Sequence, residues 1–220
     1  MNSVDGLRDP EQTSARFVGR THELTEIAAF LQCGQSVSIV GPPQSGKTAL
    51  LLHLMRSTTR PDLGLAGDNL FVYLDCEAIG AAMTTAIFGR FLTGIAAALA
   101  DRSLPMEPML ETASAQPTRL AFEVAVRKLN QSGLRLVLIL DAFDRLSGNP
   151  HLDVSFYNVL RSIAGRYQLV FLTASVRPLI ELTYASHPEA IASSPFFNIF
   201  ASCFLESEIV KNPGSHAVSG

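Results

Sequence analysis

A short strand, a glycine-containing loop and a leucine-rich helical pattern follow one another between Val37 and Leu51. The loop reads Gly41-Pro42-Pro43-Gln44-Ser45-Gly46-Lys47-Thr48 and matches the Walker A pattern G-x-x-x-x-G-K-[ST]. The two glycines let the backbone curl with its N–H groups pointing inward, where they form a cradle for an anion. The helix that begins near Gly46 adds the positive end of its dipole. This stretch therefore predicts a strand, a phosphate-binding loop and a helix.

The loop residues have separate predicted roles in binding a nucleoside triphosphate. Lys47 can reach the outer phosphates, and the Thr48 hydroxyl can ligate Mg²⁺. The alternative is a fortuitous glycine-rich turn, which is rarer where a strand precedes and a helix follows. The predicted nucleotide-binding set is Gly41, Pro42, Pro43, Gln44, Ser45, Gly46, Lys47, Thr48 and Ala49.

The composition is that of a globular chain with few charges. Of its 220 residues, 47% are hydrophobic and 17% charged, and the net charge of −3 gives no electrostatic case for nucleic acid as the main partner. The cysteines Cys33, Cys76 and Cys203 lack metal-site spacing and are interpreted as free thiols in a reducing compartment. Because Arg90 interrupts the apolar region Met83–Ala100, we expect a buried helix there, not a membrane span. A cytoplasmic protein without a membrane partner is predicted.

Apolar strand patterns alternate with helical patterns along the chain. The predicted strands lack polar alternation, which suits strands that are covered on both faces. This order predicts an α/β fold with a parallel sheet and helices on both of its faces. After the phosphate loop, strands are predicted at Asn69–Asp75, Leu134–Asp141, Leu169–Thr173 and Ile199–Phe204, and helices at 81–101, 117–132, 153–166 and 179–184.

The predicted organisation has three parts, a flexible lead-in over 1–16, a core over 17–205 and an irregular tail over 206–220. Within the core, the helix after the phosphate loop is expected to end before Pro61. Pro117 is expected in the first turn of a later helix, where its missing N–H costs nothing. On that helix Glu123 and Arg127 are predicted to form an i,i+4 ion pair.

Asp141 follows a nearly unbroken aliphatic strand, as in the Walker B pattern. Its carboxylate is predicted to hold Mg²⁺, directly or through water, beside the Thr48 hydroxyl. Ligands of open α/β sheets bind at the carboxyl ends of the strands, so Asp141 and Gly41 are expected at the same edge. The alternative is an ordinary aspartate in a turn after a strand.

Two further acidic residues lie near predicted strand ends. Asp144 is either a second acidic group near the metal or a structural residue that caps a helix or pairs with Arg145, and the structural role is favoured. Asp75 has two open interpretations, a residue of the active edge and a partner in a hydrogen bond at the end of its strand.

A third polar group, Thr173, Ser175 and Arg177, follows another predicted parallel strand. The Arg177 guanidinium could bind the terminal phosphate oxygens through two parallel hydrogen bonds. The alternative is a surface arginine before a turn that ends at Pro178.

Taken together, four segments resemble the AAA+-related ATPases of the STAND class, the signal-transduction ATPases with numerous domains. They are Phe17–Arg20, Gly41–Thr48, Leu136–Asp144 and Leu169–Arg177, and the resemblance covers residues 16–204. It implies a three-layer P-loop NTPase sandwich with a five-stranded parallel sheet in the order 5-1-4-3-2. It also implies that Val18, Gly19 and Arg20 lie against adenine, and that Arg177 is the sensor arginine after the fourth core strand.

The chain departs from that family's pattern at two places. Members usually carry Asp-Glu at the end of the Walker B strand, whereas this chain reads Asp141-Ala142. Alanine cannot orient water or accept its proton, so Mg²⁺ binding is expected to persist while hydrolysis is weakened. Asp144 is the candidate to replace the missing glutamate. The other predicted catalytic residues are Lys47, Asp141 and Arg177. The second departure is the helical lid, which is expected to be absent.

Three functions are compatible with these residues. The first is an ATP–Mg²⁺ (or ADP) binding domain that acts as a signalling or assembly switch, with slow or absent hydrolysis and nucleotide-dependent binding to itself or to a partner protein. The second is an active ATPase, in which Asp144 or a neighbouring protomer's Arg161 or Arg166 assists the reaction. The third is an interaction domain with a relic phosphate loop. A kinase is disfavoured because no acceptor-binding segment is evident, and a GTPase because no Asn-Lys-x-Asp run occurs.

Overall fold

The computed structural model describes residues 20–65, 67–104, 117–186 and 196–206. The predicted lead-in over 1–16, the segment Val18–Gly19 and the predicted tail from 207 onward lie outside the described residues. The strands are β1 Ser36–Val40, β2 Asn69–Asp75, β3 Arg135–Asp141, β4 Leu169–Ser175 and β5 Phe200–Phe204. The α-helices are α1 Thr21–Gln32, α2 Lys47–Met55, α3 Thr59–Asp62, α4 Thr84–Asp101, α5 Arg119–Gln131, α6 Phe143–Ser147, α7 Val154–Arg166 and α8 Leu179–Ser186, with 3₁₀ turns at Cys76–Ile79 and Phe196–Ile199.

The strands form one five-stranded sheet in the order β2-β3-β4-β1-β5, and every neighbouring pair is parallel. This order confirms the expected α/β P-loop architecture. Ser38 lies opposite Thr173 across β1 and β4, and Asp75 lies opposite Asp141 across β2 and β3. The strands β3, β4 and β1 are therefore adjacent in the middle of the sheet, and their carboxyl ends lie at one edge.

The strands β1 to β4 are buried on both faces of the sheet, which explains their lack of polar alternation, whereas the edge strand β5 is partly exposed. One face packs against α4, α5 and α7, where a group of aromatic rings includes Phe88, Phe91, Phe122 and Phe156. The other face packs against α1 and α2 through residues such as Ile27 and Leu51. The two apolar layers hold the central strands rigidly and so fix the positions of the loops that follow them.

The long apolar region of the sequence forms α4, Thr84–Asp101, as expected for a buried helix. Its buried residues, among them Ile87, Phe91 and Ile95, face the sheet and α5. Among the described residues, no helix combines the length and the apolar character needed to cross a bilayer.

The α2 helix ends at Met55, before Pro61 as predicted, and a separate turn of helix, α3, contains Pro61. Two other local predictions differ from the structure. Helix α5 begins at Arg119 with Thr118 as its N-cap, so Pro117 precedes the helix instead of lying in its first turn. Glu123 pairs with Arg166 of α7 at 2.8 Å, and the predicted pairing with Arg127 is wrong. The packing of α5 beside α7 offers Glu123 a partner that a single-helix argument cannot reveal.

Candidate functional site

The candidate site lies at the carboxyl edge of the three central strands. The phosphate loop follows β1, Asp141 ends β3, and Ser175 ends β4. The Gly41 N–H donates to the Ser175 carbonyl oxygen at 3.1 Å, which joins the start of the loop to the end of β4. The structure thus brings together the phosphate loop, Asp141 and the turn that carries Arg177.

Gly41 is required by the close approach of the chain around it. A Cβ atom at this position would lie 2.7 Å from Ser45 Oγ and 2.8 Å from the Leu205 carbonyl oxygen. Both distances are shorter than a real Cβ contact, and the second atom belongs to the backbone. The glycine therefore allows the loop to fold over its own first turn beside the end of β5.

The loop reaches α2 through residues with left-handed backbone. Gln44 has φ 64° and Gly46, the N-cap of α2, has φ 85°. Pro42, Pro43 and Gln44 are exposed, whereas Ser45 is buried and its Oγ has no hydrogen-bond partner in the described part of the chain. A buried hydroxyl without a partner, next to a helix N-terminus, is chemically suited to an anion.

Lys47 lies across the mouth of this loop. Its Nζ donates to the carbonyl oxygens of Gly41 at 2.7 Å and Pro42 at 2.8 Å. Partial burial lowers the pKa of Lys47, while the nearby charges of Asp144 and Asp141 act in the opposite direction. The ammonium group is thus held at the loop and faces both carboxylates of the β3–α6 segment. Thr48 and Ala49 follow it in the first turn of α2 and are partly buried.

The Asp141 carboxylate is held by two hydrogen bonds. Its Oδ2 accepts from the Tyr73 hydroxyl at 2.8 Å, and its Oδ1 accepts from the Ala142 N–H at 2.9 Å. The residue is only 6% exposed. Ala142 has φ 52° and ψ 46°, a left-handed conformation that costs an alanine about 1 kcal/mol. The chain accepts this cost where β3 turns sharply into α6.

Tyr73 is a site residue that the sequence analysis missed. It lies on β2 opposite Ile139, so Asp141 is its diagonal neighbour on the same face of the sheet. Diagonal neighbours on a sheet face are within reach of long aromatic side chains. The signal that could have found it is the register of β2 against β3, since the pairing of Asp75 with Asp141 places the Tyr73 side chain beside that carboxylate.

Of the two interpretations of Asp75, the structure shows the hydrogen bond at the end of its strand. Its Oδ1 accepts from the Glu77 N–H at 2.9 Å and caps the 3₁₀ turn Cys76–Ile79. This use of the carboxylate is the ordinary role of an aspartate at the first position of a turn. Asp75 therefore terminates β2, although it lies directly opposite Asp141 in the sheet.

Asp144 and Arg177 are connected through the backbone. Asp144 Oδ2 accepts from the Val176 N–H at 2.8 Å, and Oδ1 accepts from the Arg177 N–H at 3.4 Å. The Arg177 side chain is exposed. The arginine thus extends from a turn that the Asp144 carboxylate holds in place.

Arg20 is fixed beside the phosphate loop. Its guanidinium donates to the Ser45 carbonyl at 3.1 Å, to the Glu206 carbonyl at 2.8 Å and to Glu23 Oε1 at 2.8 Å. These contacts join the start of α1 to the loop and to the segment after β5. Arg20 is the one residue of the predicted adenine-contacting segment Val18–Arg20 that lies within the described part of the chain, and it contacts the phosphate loop at Ser45.

A comparison with protein-family models decides the family. The model described as the AAA ATPase domain matches residues 16–172, which is more than half of the chain. The chain belongs to the AAA ATPase domain family. The match includes the phosphate loop and Asp141, whereas Arg177 lies beyond it. A search of curated protein sequences found no match.

Three archaeal proteins are among the solved structures that share this fold. ORC2 of Aeropyrum pernix in its ADP form is 17% identical with a TM-score of 0.59, over 90% of this chain and 52% of that one. The Walker-type ATPase paby2304 of Pyrococcus abyssi is 13% identical with a TM-score of 0.61, over 86% of this chain and 54% of that one. ORC1 of Aeropyrum pernix, solved in complex with DNA, is 14% identical with a TM-score of 0.53, over 89% of this chain and 47% of that one.

These identities show a shared fold and nothing more specific. The AAA ATPase domain described here spans about half the length of each of these proteins. The family and the fold together support a nucleotide-binding P-loop domain of the AAA+ type. They confirm the resemblance to AAA+-related ATPases that the four sequence segments indicated.

Proposed function

We propose that residues 17–205 bind ATP with Mg²⁺ and act as a nucleotide-dependent switch with slow or absent hydrolysis. The phosphate loop supports the binding part of the proposal, since Ser45 Oγ is buried without a partner in the described residues and lies next to the N-terminus of α2. Lys47 already lies at the loop and would move from the carbonyls of Gly41 and Pro42 to phosphate oxygens.

The donor groups at the site fit Mg²⁺. This ion prefers one or two carboxylates plus phosphate oxygens and water over a cage made by the protein alone. Asp141 supplies a buried carboxylate whose two oxygens each accept a single protein hydrogen bond, and Thr48 supplies a hydroxyl at the start of α2. Among the described residues, no group of three or more His, Cys, Asp or Glu side chains is arranged to hold a metal. Asp141 and Thr48 would therefore hold the ion together with the nucleotide, and the ion would neutralise phosphate charge.

The single observation that carries slow hydrolysis is Ala142. It directly follows Asp141, where family members usually place a glutamate that polarises the attacking water. Asp144 is a weak substitute because both of its oxygens accept backbone N–H groups of Val176 and Arg177. Loss of a water-positioning group costs orders of magnitude in rate, so ATP would persist at the site for long periods.

A switch also needs two states with different affinities for ATP. We propose that the two states differ in self-association or in binding to a partner protein, by analogy with the STAND class of signal-transduction ATPases. Val18, Gly19 and Arg20 are the candidate adenine contacts, and Arg177 is the candidate contact with the outer phosphate. Light scattering measures the molar mass of the protein in solution with Mg²⁺ and either ATP or ADP, and so detects nucleotide-dependent self-association. If the molar mass is the same with ATP and with ADP, and binding to a partner protein is also unchanged, the proposed switch is contradicted.

A reducing cytoplasm is the compartment that suits this chain. Cys33, Cys76 and Cys203 are all free thiols. Burial raises the pKa of Cys203 to about 11, with smaller contributions from Glu26 and Glu23, and so keeps this thiol protonated. A protonated, buried thiol is a poor nucleophile and behaves as a small apolar side chain.

Phosphate release tests the hydrolysis part of the proposal. With saturating Mg²⁺ and ATP, the wild-type protein should release phosphate slowly, and Ala142→Glu should raise that rate by at least about tenfold. Ala142→Gln is the matched control, because glutamine has the same size and the same strained backbone position but cannot accept the proton. A wild-type rate typical of active ATPases, above about 1 s⁻¹, would favour the ATPase alternative instead.

A further inference from the structure

The Asp144 carboxylate joins two segments that are distant in sequence. It lies in the first turn of α6, three residues after Asp141, and its oxygens accept the backbone N–H groups of Val176 at 2.8 Å and Arg177 at 3.4 Å. Hydrogen bonds to an ionised carboxylate are about twice as strong as neutral ones. The α6 segment that follows Asp141 is therefore bonded to the turn that carries Arg177.

The same turn is held from a second side. The buried Ser175 hydroxyl donates to the Arg177 carbonyl oxygen at 2.7 Å, so both peptide groups of Arg177 are engaged. The side chain of Arg177 is exposed and extends from this fixed backbone. A guanidinium on a four-bond stem reaches a phosphate reproducibly only if its Cα is held in place.

The turn that carries Arg177 is also joined to the phosphate loop. The Gly41 N–H donates to the Ser175 carbonyl oxygen at 3.1 Å, and the Ser175 hydroxyl donates to the Arg177 carbonyl oxygen. The turn therefore lies between the first residue of the phosphate loop and the Asp144 carboxylate.

We propose that Asp144 is a positioning residue that couples the end of β3, which carries Asp141, to the turn that carries Arg177, so that the arginine distinguishes ATP from ADP only when Asp144 holds its turn. The proposal rests on the nucleotide binding proposed above. It assigns Asp144 a role different from activating water or ligating the metal. Its consequence is a selective loss: without Asp144, the outer phosphate of ATP is sensed less well, while the contacts that ADP also makes are retained.

A double-mutant cycle on nucleotide preference tests this coupling. Affinities for Mg²⁺–ATP and Mg²⁺–ADP are measured by calorimetry for the wild-type protein, Arg177→Ala, Asp144→Ala and the double variant. Each single variant should reduce the preference for ATP over ADP by about tenfold, the effect of one lost charged hydrogen bond. The double variant should lose no more than either single one, because the two residues act as one unit. Glu77→Ala removes an exposed acidic residue bonded to Arg145 and should leave the preference unchanged.

Other results would overturn the coupling. Additive losses in the double variant would show that Asp144 and Arg177 act separately, and an equal loss of ATP and ADP affinity in Asp144→Ala would show a merely structural role. If Asp144→Ala does not fold, Asp144→Asn keeps the size and one acceptor oxygen, and a reduced preference in this variant is the expected result. Wild-type protein that binds neither nucleotide would instead refute the proposed function itself, which separates the two failures.

Discussion

The Tyr73 hydroxyl donates a 2.8 Å hydrogen bond to Oδ2 of Asp141. The Ala142 N–H holds the other oxygen, so the carboxylate is fixed in rotation about its own axis. Residues that hold a metal-binding carboxylate are often nearly as important as the ligand, because they set its orientation and basicity. Tyr73 is thus the structural support of the proposed Mg²⁺ ligand.

Removing this hydroxyl should weaken metal-dependent binding selectively. In Tyr73→Phe the ring still fills its place, but Asp141 loses one of its two hydrogen bonds. We expect the affinity for Mg²⁺–ATP to fall by about tenfold, the lower end of the range for supporting residues of metal sites. Binding of ATP in EDTA, measured by titration calorimetry, should be unchanged.

A matched tyrosine provides the control for that variant. Tyr167 lies at the C-terminal end of α7, at the opposite edge of the sheet, with Arg166 over its ring. Tyr167→Phe should leave nucleotide affinity unchanged with and without Mg²⁺. Equal losses of ATP affinity in the presence and absence of metal in Tyr73→Phe would show that the hydroxyl supports the fold and not the ligand.

Gly41→Ala should lower stability and ATP binding more than the substitution of a glycine that has open space around it. The new Cβ would meet Ser45 Oγ and the Leu205 carbonyl oxygen at less than 3 Å. We expect the free energy of unfolding to fall by about 1–3 kcal/mol, as in other overpacked sites, and ATP binding to be lost. Urea denaturation measures the first effect and calorimetry the second.

Gly165→Ala is the control for the loop variant. Gly165 lies in α7, and a Cβ there meets no atom within 4 Å. Alanine is the better helix former, so the free energy of unfolding should rise by up to about 1 kcal/mol. If both glycine variants lost the same stability, close approach at Gly41 would not be the reason for its glycine.

The Arg20–Glu23 ion pair should make stability depend on pH in the acid range. The hydrogen bond from Arg20 lowers the pKa of Glu23 below its ordinary value of 4.5, against the smaller effect of burial. A carboxyl whose folded pKa is lowered stabilises the protein above the unfolded pKa, and this stabilisation is lost as the pH falls through the folded value. The wild type should therefore exceed Glu23→Gln in free energy of unfolding at pH 7, and the difference should shrink below about pH 4.5. Urea titrations from pH 7 to 3 measure this, and a difference that stays constant would contradict the ion pair.

The local parts of the fold and site were predictable from the sequence. Each strand and the Walker A loop is encoded by contiguous residues, and the order of the sheet followed from the resemblance of four segments to a known family. Ala142 was recognised because its position next to Asp141 is set by the chain alone. These predictions did not require knowledge of which side chains on neighbouring strands contact one another.

The contacts between segments could not be predicted in the same way. Tyr73 contacts Asp141 only because of the register of β2 against β3, and Asp144 meets Arg177 because α6 lies beside the end of β4. Glu123 had a plausible partner one helical turn away, yet it pairs with Arg166 on a neighbouring helix. A charged or polar side chain often has several possible partners at similar distances. Which of them it pairs with depends on tertiary packing, which cannot be inferred from sequence spacing.

Nucleotide-dependent thermal stability of Lys47→Ala is the most direct test of the central claim. At an ATP concentration of about 100 times Kd, binding adds about 2.7 kcal/mol, which for a domain of this size raises Tm by about 5–10 °C. Wild-type protein and Lys128→Ala, a control at the far end of α5, should show this increase with Mg²⁺ and ATP. Lys47→Ala should keep its stability without nucleotide to within about 1 kcal/mol and lose the increase. If ATP leaves the wild-type Tm unchanged, or raises that of Lys47→Ala equally, the phosphate loop does not bind nucleotide as proposed.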